Sequence, residues 1–350
     1  MSGGIATTEA QSLRFDTDIA QGLEPTAPRA FRRIAVLGLG LIGGSVAQRC
    51  AQVGYQVVGY DPAWQGPAER AQLAEHRISA ADSPGGAVSG ADLIVLAVPL
   101  GAMTTTALAI RGSVAPWATI TDVGSVKGAV REAVSAAGLE AFYVGGHPMA
   151  GNEHTGFEFA TPELLMGAPW ALTLPTTEPT ETIETTDTSD PTEIVHTPAP
   201  EQIANPLRSG VKGSGRVLGQ DTVRRFELVR DWVVRTFSAR VVELIDDEHD
   251  AAQALISGLP HIFATQLLNQ VAGASSSLKS TALRLAAGSF RDGTRVAHTD
   301  PERTAALVSE NVTAVVPALR QAIADLSQLA DDLAAGADPH PFFHQADALR

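Results

Sequence analysis

The sequence predicts an α/β doubly wound sheet followed by an all-α helical domain. Three features of the 350-residue chain point there. Short apolar runs alternate with helix-like stretches from residue 33 to about residue 174. A Gly-x-Gly-x-x-Gly turn joins the first apolar run to the first helix-like stretch. Beyond residue 246, apolar residues recur only at helical spacing. The first two features describe a Rossmann-type sheet, and the third marks a separate helical unit.

Taken in order, residues 34–37, 56–60, 93–98, 119–121 and 142–144 read as strands. Most are continuous apolar runs without alternation, as expected of parallel strands covered on both faces. Residues 45–53 and 125–137 have helical composition. The character changes at about Pro175. Residues 176–200 are rich in Thr, Pro, Glu and Asp and contain neither Lys nor Arg. With no hydrophobic period, that stretch cannot offset the entropy of ordering, and a disordered insertion is predicted. Residues 239–244 read as a further strand of the first sheet. Residues 223–237, 246–271, 280–287 and 305–333 read as helices. Leu319, Ile323, Leu326, Leu329 and Leu333 form one stripe on the last of these, suited to a core or to a dimer face. The resulting division is a tail (1–30), a dinucleotide-binding domain (31–175), the acidic insertion (176–216), the end of the first domain (217–245), a helical domain (246–335) and a C-terminal tail (336–350).

Bulk composition narrows the function. A 44% hydrophobic content suffices for a full core. The net charge of −14 argues against a nucleic-acid partner, though not against a local cationic pocket for a small anion. Cys50 is the single cysteine, so neither an internal disulfide nor a cysteine-cluster metal site is possible, and no metal is expected. Cys50 reads as a buried apolar helix residue. Residues 1–29 lack a continuous apolar stretch and carry Arg14, Asp16 and Asp18, unlike a signal peptide. No segment approaches the ~20 apolar residues of a membrane span, so a cytoplasmic protein is expected.

A glycine-rich turn alone is a weak signal, but Gly38-Leu39-Gly40-Leu41-Ile42-Gly43 follows one predicted strand and opens a helix. Gly38 permits the tight turn, Gly40 lets a pyrophosphate approach the backbone, and Gly43 lets helix and strand pack closely. The N–H groups around Leu41 and Ile42 face the phosphates from the helix N-terminus. Asp61 ends the second strand. Its carboxylate can accept both hydroxyls of an adenosine ribose and would repel a 2′-phosphate, which favours NAD over NADP. Val98 and Pro99, at a later strand end, are expected beside the cofactor.

Two polar stretches fall at the ends of later strands, where ligands sit in open parallel sheets. They are Asp122-Val123-Gly124-Ser125-Val126-Lys127 and Gly145-Gly146-His147-Pro148-Met149-Ala150-Gly151-Asn152-Glu153. A neutral imidazole can take a proton near pH 7, so His147 is a candidate base. Ser125, read alone, would cap the helix that follows it. In the second half, Ser257-Gly258-Leu259-Pro260-His261 precedes Gly288-Ser289-Phe290-Arg291-Asp292-Gly293-Thr294-Arg295-Val296-Ala297.

These motifs, in this order from about residue 33 to 333, resemble the prephenate dehydrogenase family, including its arogenate-using members. The resemblance implies oxidation of a cyclohexadienol that carries a ring carboxylate. Hydride leaves the hydroxyl-bearing carbon, the carboxylate departs as carbon dioxide, and the ring becomes aromatic. It implies that His147 takes the hydroxyl proton with help from Ser125. Arg295 would clamp a carboxylate through its bidentate fork. Asp292 would orient Arg295 or pair with Arg291, His261 would line the substrate site, and Glu153 would sit at its rim. Prephenate is the expected substrate and arogenate the alternative, in tyrosine biosynthesis, with a homodimer formed through the helical domain. Neither a fused mutase before residue 33 nor a regulatory domain after residue 333 is expected, so tyrosine inhibition, where present, is expected to act at or near the active site.

The sequence departs from the family pattern in places. Gly258 stands where relatives often carry histidine, Gly293 where the residue is usually larger, and Glu302-Arg303-Thr304 where a tryptophan is common. Two rivals lack a use for the whole set of motifs. Another dehydrogenase with a helical dimer domain would not need both His147 and Arg295 in these contexts. A non-catalytic NAD sensor would need only the glycines and Asp61.

Overall fold

The structure is a computed structural model that describes residues 31–152, 154–175 and 219–349. Glu153, the N-terminal tail and the acidic insertion lie outside the described residues. The chain begins β1 (Arg33–Leu37), α1 (Leu41–Gln52), β2 (Gln56–Tyr60), α2 (Pro67–Glu75), β3 (Ile78–Ala80), α3 (Pro84–Val88) and β4 (Leu93–Leu96). It continues α4 (Leu100–Ile110), β5 (Thr119–Asp122), α5 (Gly128–Ala136), β6 (Tyr143–Pro148), β7 (Pro169–Leu174), α6 (Gln220–Phe237) and β8 (Arg240–Ile245). The helical half follows as α7 (Asp246–Gln253), α8 (Leu259–Ala272), α9 (Ser276–Leu285), α10 (Gly288–Thr294), α11 (Pro301–Glu310), α12 (Val312–Ala334) and α13 (His340–His344).

Among the described residues, eight strands form one sheet in the order β3-β2-β1-β4-β5-β6-β7-β8. The first six run parallel. β7 pairs antiparallel with β6, and β8 runs parallel to β7. Successive residues of the central strands enter opposite cores. Ile34, Val36, Leu93 and Val95 join Val46 and Cys50 of α1 and Phe226 and Trp232 of α6. Ala35, Leu37, Ile94 and Leu96 join Met103 and Ala107 of α4 and Val130 and Val134 of α5. Both faces are therefore apolar, which is why these strands read as unbroken hydrophobic runs. Burial pushes the Cys50 thiol up to about 12, which leaves it an unreactive core residue.

Several boundaries differ from the sequence reading, each for a local reason. β3 and β7 were not separately identified: β3 spans three residues, and β7 lies beyond a long loop after β6. β4 ends at Leu96, before Val98. The predicted helix at 125–137 begins at Gly128, with Lys127 as its cap residue. Ser125 does not cap it; the Asp250 carboxylate accepts the N–H groups of Lys127 and Gly128 at 2.8 and 2.9 Å. The predicted helix at 246–271 contains one wide π turn at Ala254–Gly258. The predicted helix at 305–333 is two helices, which meet at Asn311. α11 starts earlier than expected because Asp300 accepts the Arg303 N–H at 3.0 Å and Pro301 occupies the first position.

Candidate active site

The glycine-rich turn is packed as the chemistry of a dinucleotide site requires. Gly38 has φ +93°, and a Cβ there would lie 2.4 Å from the Ala97 carbonyl oxygen. A Cβ on Gly43 would lie 2.1 Å from the Gly38 oxygen and 2.7 Å from the Ala97 Cβ. Helix α1 is thereby held hard against β1 and β4. A Cβ on Gly40 would meet nothing within 4 Å, so the backbone is open where a pyrophosphate would approach. No acidic residue sits in the first turn of α1, so the helix itself places no negative charge at its N-terminal end beside Leu41 and Ile42. The Asp61 carboxylate accepts the Leu39 N–H at 2.9 Å, so the acid lies against the turn, and it accepts Ala63 N–H at the same distance. Each oxygen retains acceptor capacity for a ribose hydroxyl. Val98 is half-buried and Pro99 exposed at the start of α4. These residues fit a dinucleotide.

His147 lies on β6, and its placement begins with Asp122 at the end of β5. One Asp122 oxygen accepts the Tyr143 hydroxyl at 2.8 Å and the Gly146 N–H at 2.9 Å. The other accepts Gly124 N–H at 2.8 Å and the Lys127 ammonium. All four lone-pair positions of the buried carboxylate are used. Lys127, fully buried, also donates to the Gly146 carbonyl at 2.6 Å. The glycines before His147 make this possible. A Cβ on Gly145 would lie 2.2 Å from the Thr173 hydroxyl, and one on Gly146 would lie 2.6 Å from the Asp122 carbonyl oxygen. Burial, opposed by Asp122, lowers the Lys127 amine from its ordinary value. Burial first, then Asp122, raises the Tyr143 hydroxyl well above its own, so it remains a donor.

The His147 ring reaches into the helical half. Its Nδ1 lies 2.9 Å from Nε2 of His249 on α7, and His249 Nδ1 lies 2.8 Å from the Asp250 carboxylate. Burial, then the charge of Lys127, then His249 hold the His147 imidazole well below the ordinary range. Further along, Gln253 donates to the Met149 sulfur at 3.4 Å, and Arg303 of α11 donates to the Asn152 carbonyl at 3.1 Å. The segment from His147 to Asn152 thus runs along α7 and onto α11.

His261 is half-buried on α8, whose flank the turn Arg295–His298 packs against. Burial depresses the His261 imidazole; the Val296 backbone opposes this, and the nearby charges of Arg303 and Arg295 reinforce it. Arg295 and Asp292 are exposed, and no hydrogen bond or ion pair joins Asp292 to Arg295 or to Arg291 among the described residues. The expectation that Asp292 orients either arginine is therefore not met: in α10 its carboxylate faces solvent. Ser125 is half-buried in the segment between β5 and α5. At Gly258, a Cβ would lie 2.9 Å from a Val315 methyl, so Val315 fills the room a larger side chain would need. A Cβ at Gly293 would meet Leu267 at an ordinary 3.5 Å.

Sequence reasoning missed Lys127, His249, Asp250 and Arg303. Lys127 stood in a quoted motif, but nothing local marks it as buried. His249 and Asp250 fall in the predicted helix at 246–271, and nothing local marks either for a role. Arg303 stands in the segment where a tryptophan is common in the family, and nothing local marks it for a role.

Comparison with known proteins identifies the family. The profile for the prephenate dehydrogenase nucleotide-binding domain matches residues 44–188, and that for the prephenate dehydrogenase dimerization domain matches residues 246–344. A cyclohexadienyl dehydrogenase of Zymomonas mobilis is 30% identical over 303 residues, covering 85% of this chain and 87% of the relative. A prephenate dehydrogenase of Bacillus subtilis is 29% identical over 274 residues, 77% of this chain; the chain spans 61% of that relative's length. Among solved structures, an arogenate dehydrogenase of Synechocystis superposes with a TM-score of 0.68 at 25% identity, covering 90% of this chain and 98% of that one. A prephenate dehydrogenase of Aquifex aeolicus in complex with hydroxyphenyl propionate and NAD+ shares the fold, with a TM-score of 0.68 at 22% identity over 91% of this chain and 97% of that one. With both of its halves matched and a relative aligned over most of its length, the chain belongs to the prephenate dehydrogenase family of oxidoreductases.

Proposed function

We propose that the chain catalyses the NAD-dependent oxidative decarboxylation of prephenate to 4-hydroxyphenylpyruvate, a step of tyrosine biosynthesis. The observation that carries this reading is the line of contacts from His147 through Met149 and Asn152 to Arg303, beside His261 and Arg295. It sets a neutral imidazole and two guanidinium groups along one border between the sheet and the helices. A bound nicotinamide supplies the hydride acceptor. His147 takes the hydroxyl proton from the ring carbon being oxidised, with Ser125 as a second hydrogen-bonding group. Arg295 holds one carboxylate by bidentate bonding. Arg303, whose second nitrogen is not used by Asn152, holds the other. Prephenate carries two carboxylates, and arogenate shares both, so the two substrates differ at the side-chain keto or ammonium group.

NAD is the preferred cofactor in this reading. Asp61 meets the ribose as a carboxylate, and the neighbouring Arg70 is committed to Gln65 and Asp82 instead of being free for a 2′-phosphate. The helical half would pair two copies into a homodimer, as the name of the matching domain suggests. The test is NADH formation at 340 nm with prephenate and arogenate, each with NAD and NADP. Prephenate with NAD should give the highest kcat/KM. His147→Asn should lower kcat about 100-fold or more without weakening NAD binding. Arg295→Gln and Arg303→Gln should each raise KM for the ring substrate by roughly tenfold or more, with smaller effects on kcat. Full activity in all three variants would overturn the assignment.

A further inference from the structure

Resting on the reading of His147 as the proton acceptor, we propose that His249 and Asp250 are positioning residues that fix the tautomer and plane of the His147 ring. Asp250 anchors the arrangement. Its carboxylate is held by three donors: the Lys127 and Gly128 N–H groups at 2.8 and 2.9 Å, and the His249 ring at 2.8 Å. Burial pushes this carboxyl up, but the three bonds outweigh it and keep it below its ordinary value. An ionised carboxylate only accepts, so His249 Nδ1 carries its proton. In the neutral ring, that tautomer offers Nε2 as an acceptor. The contact of 2.9 Å from His147 Nδ1 is satisfied only if His147 donates there. That leaves His147 Nε2 with a bare lone pair, the form a proton acceptor needs.

The rings cross at 70°, and His249 is 1% exposed, so water does not compete for this contact. The charged groups around the chain support the same proton placement. Lys127 faces His147 and disfavours an imidazolium, while Asp122 and Asp246 lie behind Lys127, and Asp246 pairs with Arg131. The device joins the two halves of the molecule: the acceptor stands on β6, while both positioning groups come from α7. The Asp250 carboxylate also substitutes for the missing side-chain cap of α5. One group thereby sets both the start of that helix and the tautomer of the base.

The reading can be tested on the full chain. Ring-nitrogen NMR of ¹⁵N-histidine-labelled protein, with His147 assigned by its loss in His147→Asn, should show the neutral Nδ1–H form at pH 7. Observation of the Nε2–H form would overturn the proposal whatever the variants do. In Asp250→Asn the amide can donate to His249 and reverse both rings, so kcat should fall about 100-fold with KM for prephenate within about threefold. His249→Phe keeps the shape without an acceptor and should lose a similar factor. His249→Gln, whose amide oxygen can accept from His147, should recover at least tenfold of that loss. Folded Asp250→Asn and His249→Phe proteins with wild-type kcat and pH profile would sink the relay. If His147→Asn itself keeps wild-type kcat, the functional reading fails first, which separates the two failures.

Discussion

The His147 imidazole ties stability and activity to the same proton. Its folded-state value lies well below the ordinary one, with burial the largest cause, so the unfolded chain binds the proton first as pH falls. Between the unfolded value near ~6.5 and the lower folded one, the unfolded state holds more protons, and stability rises with pH. On acidification from pH 7 the protein should therefore lose up to about 1.4 kcal/mol per pH unit below ~6.5, until the folded-state value is reached. Thermal midpoints from pH 7 to pH 5 in wild type and His147→Asn check this. The variant should lack that component, and parallel curves would refute it. Activity moves in the same sense: the acid limb of kcat/KM should lie below the range of a solvent-exposed histidine. A lone His147 was legible as a candidate because its glycine, proline and strand-end context is local. His249 and Asp250 were not, because they lie 102 residues or more away in sequence. Asp246-Asp247-Glu248-His249-Asp250 is locally indistinguishable from the acid-rich start of an ordinary surface helix, and burial against β6 is what changes its meaning.

At the scale of elements, the turn between β1 and α1 separates two uses of glycine that look alike in sequence. Gly43 is a packing glycine, because a methyl there would collide with the Gly38 carbonyl and with Ala97. Gly40 faces open space, the room that a bound pyrophosphate would need. Gly43→Ala should therefore cost about 3 kcal/mol or more of stability by forcing α1 off the sheet, and NAD binding should fail with it. Gly40→Ala should leave the thermal midpoint within about two degrees while weakening NAD at least tenfold, because its methyl enters the space of the pyrophosphate. Calorimetry and fluorescence titration of both variants make the comparison. Equal loss of stability in the two would mean that the openness at Gly40 has no bearing on the cofactor. Six of the eight strands among the described residues are legible to within a few residues, because two-sided burial makes them largely continuous apolar runs; three-residue β3 and β7 are not. Helix starts were less so. α5 is capped from 122 residues away by Asp250, and Ser125, the residue with the right local chemistry, takes no part.

For the whole molecule, the distribution of exposed apolar groups is lopsided. Leu255, Ile256, Leu278, Leu283 and Leu285 are each more than half exposed, and all lie in the helical half. Of the predicted stripe on α12, none of Leu319, Ile323, Leu326, Leu329 and Leu333 is buried, and Ile323 and Leu333 are both 53% exposed. The sequence left that stripe open between core and interface, and within one copy of the chain it is not core. A monomer seldom exposes more than a few hundred Å² of contiguous apolar surface, whereas a stable pairing buries about 800 Å² per partner. A second copy of the chain is the economical cover. The chain should therefore scatter light as a dimer of about twice 36.5 kDa at micromolar concentration. Ile323→Glu with Leu326→Glu should shift it toward monomer, because two buried carboxylates on a symmetric face would appear as four. The helices themselves should survive this change, since both positions are exposed in the single chain, so far-ultraviolet circular dichroism should stay near wild type. A wild-type monomer under these conditions would refute the pairing, and a double variant that remains dimeric would move the interface off α12 to the apolar groups of α9.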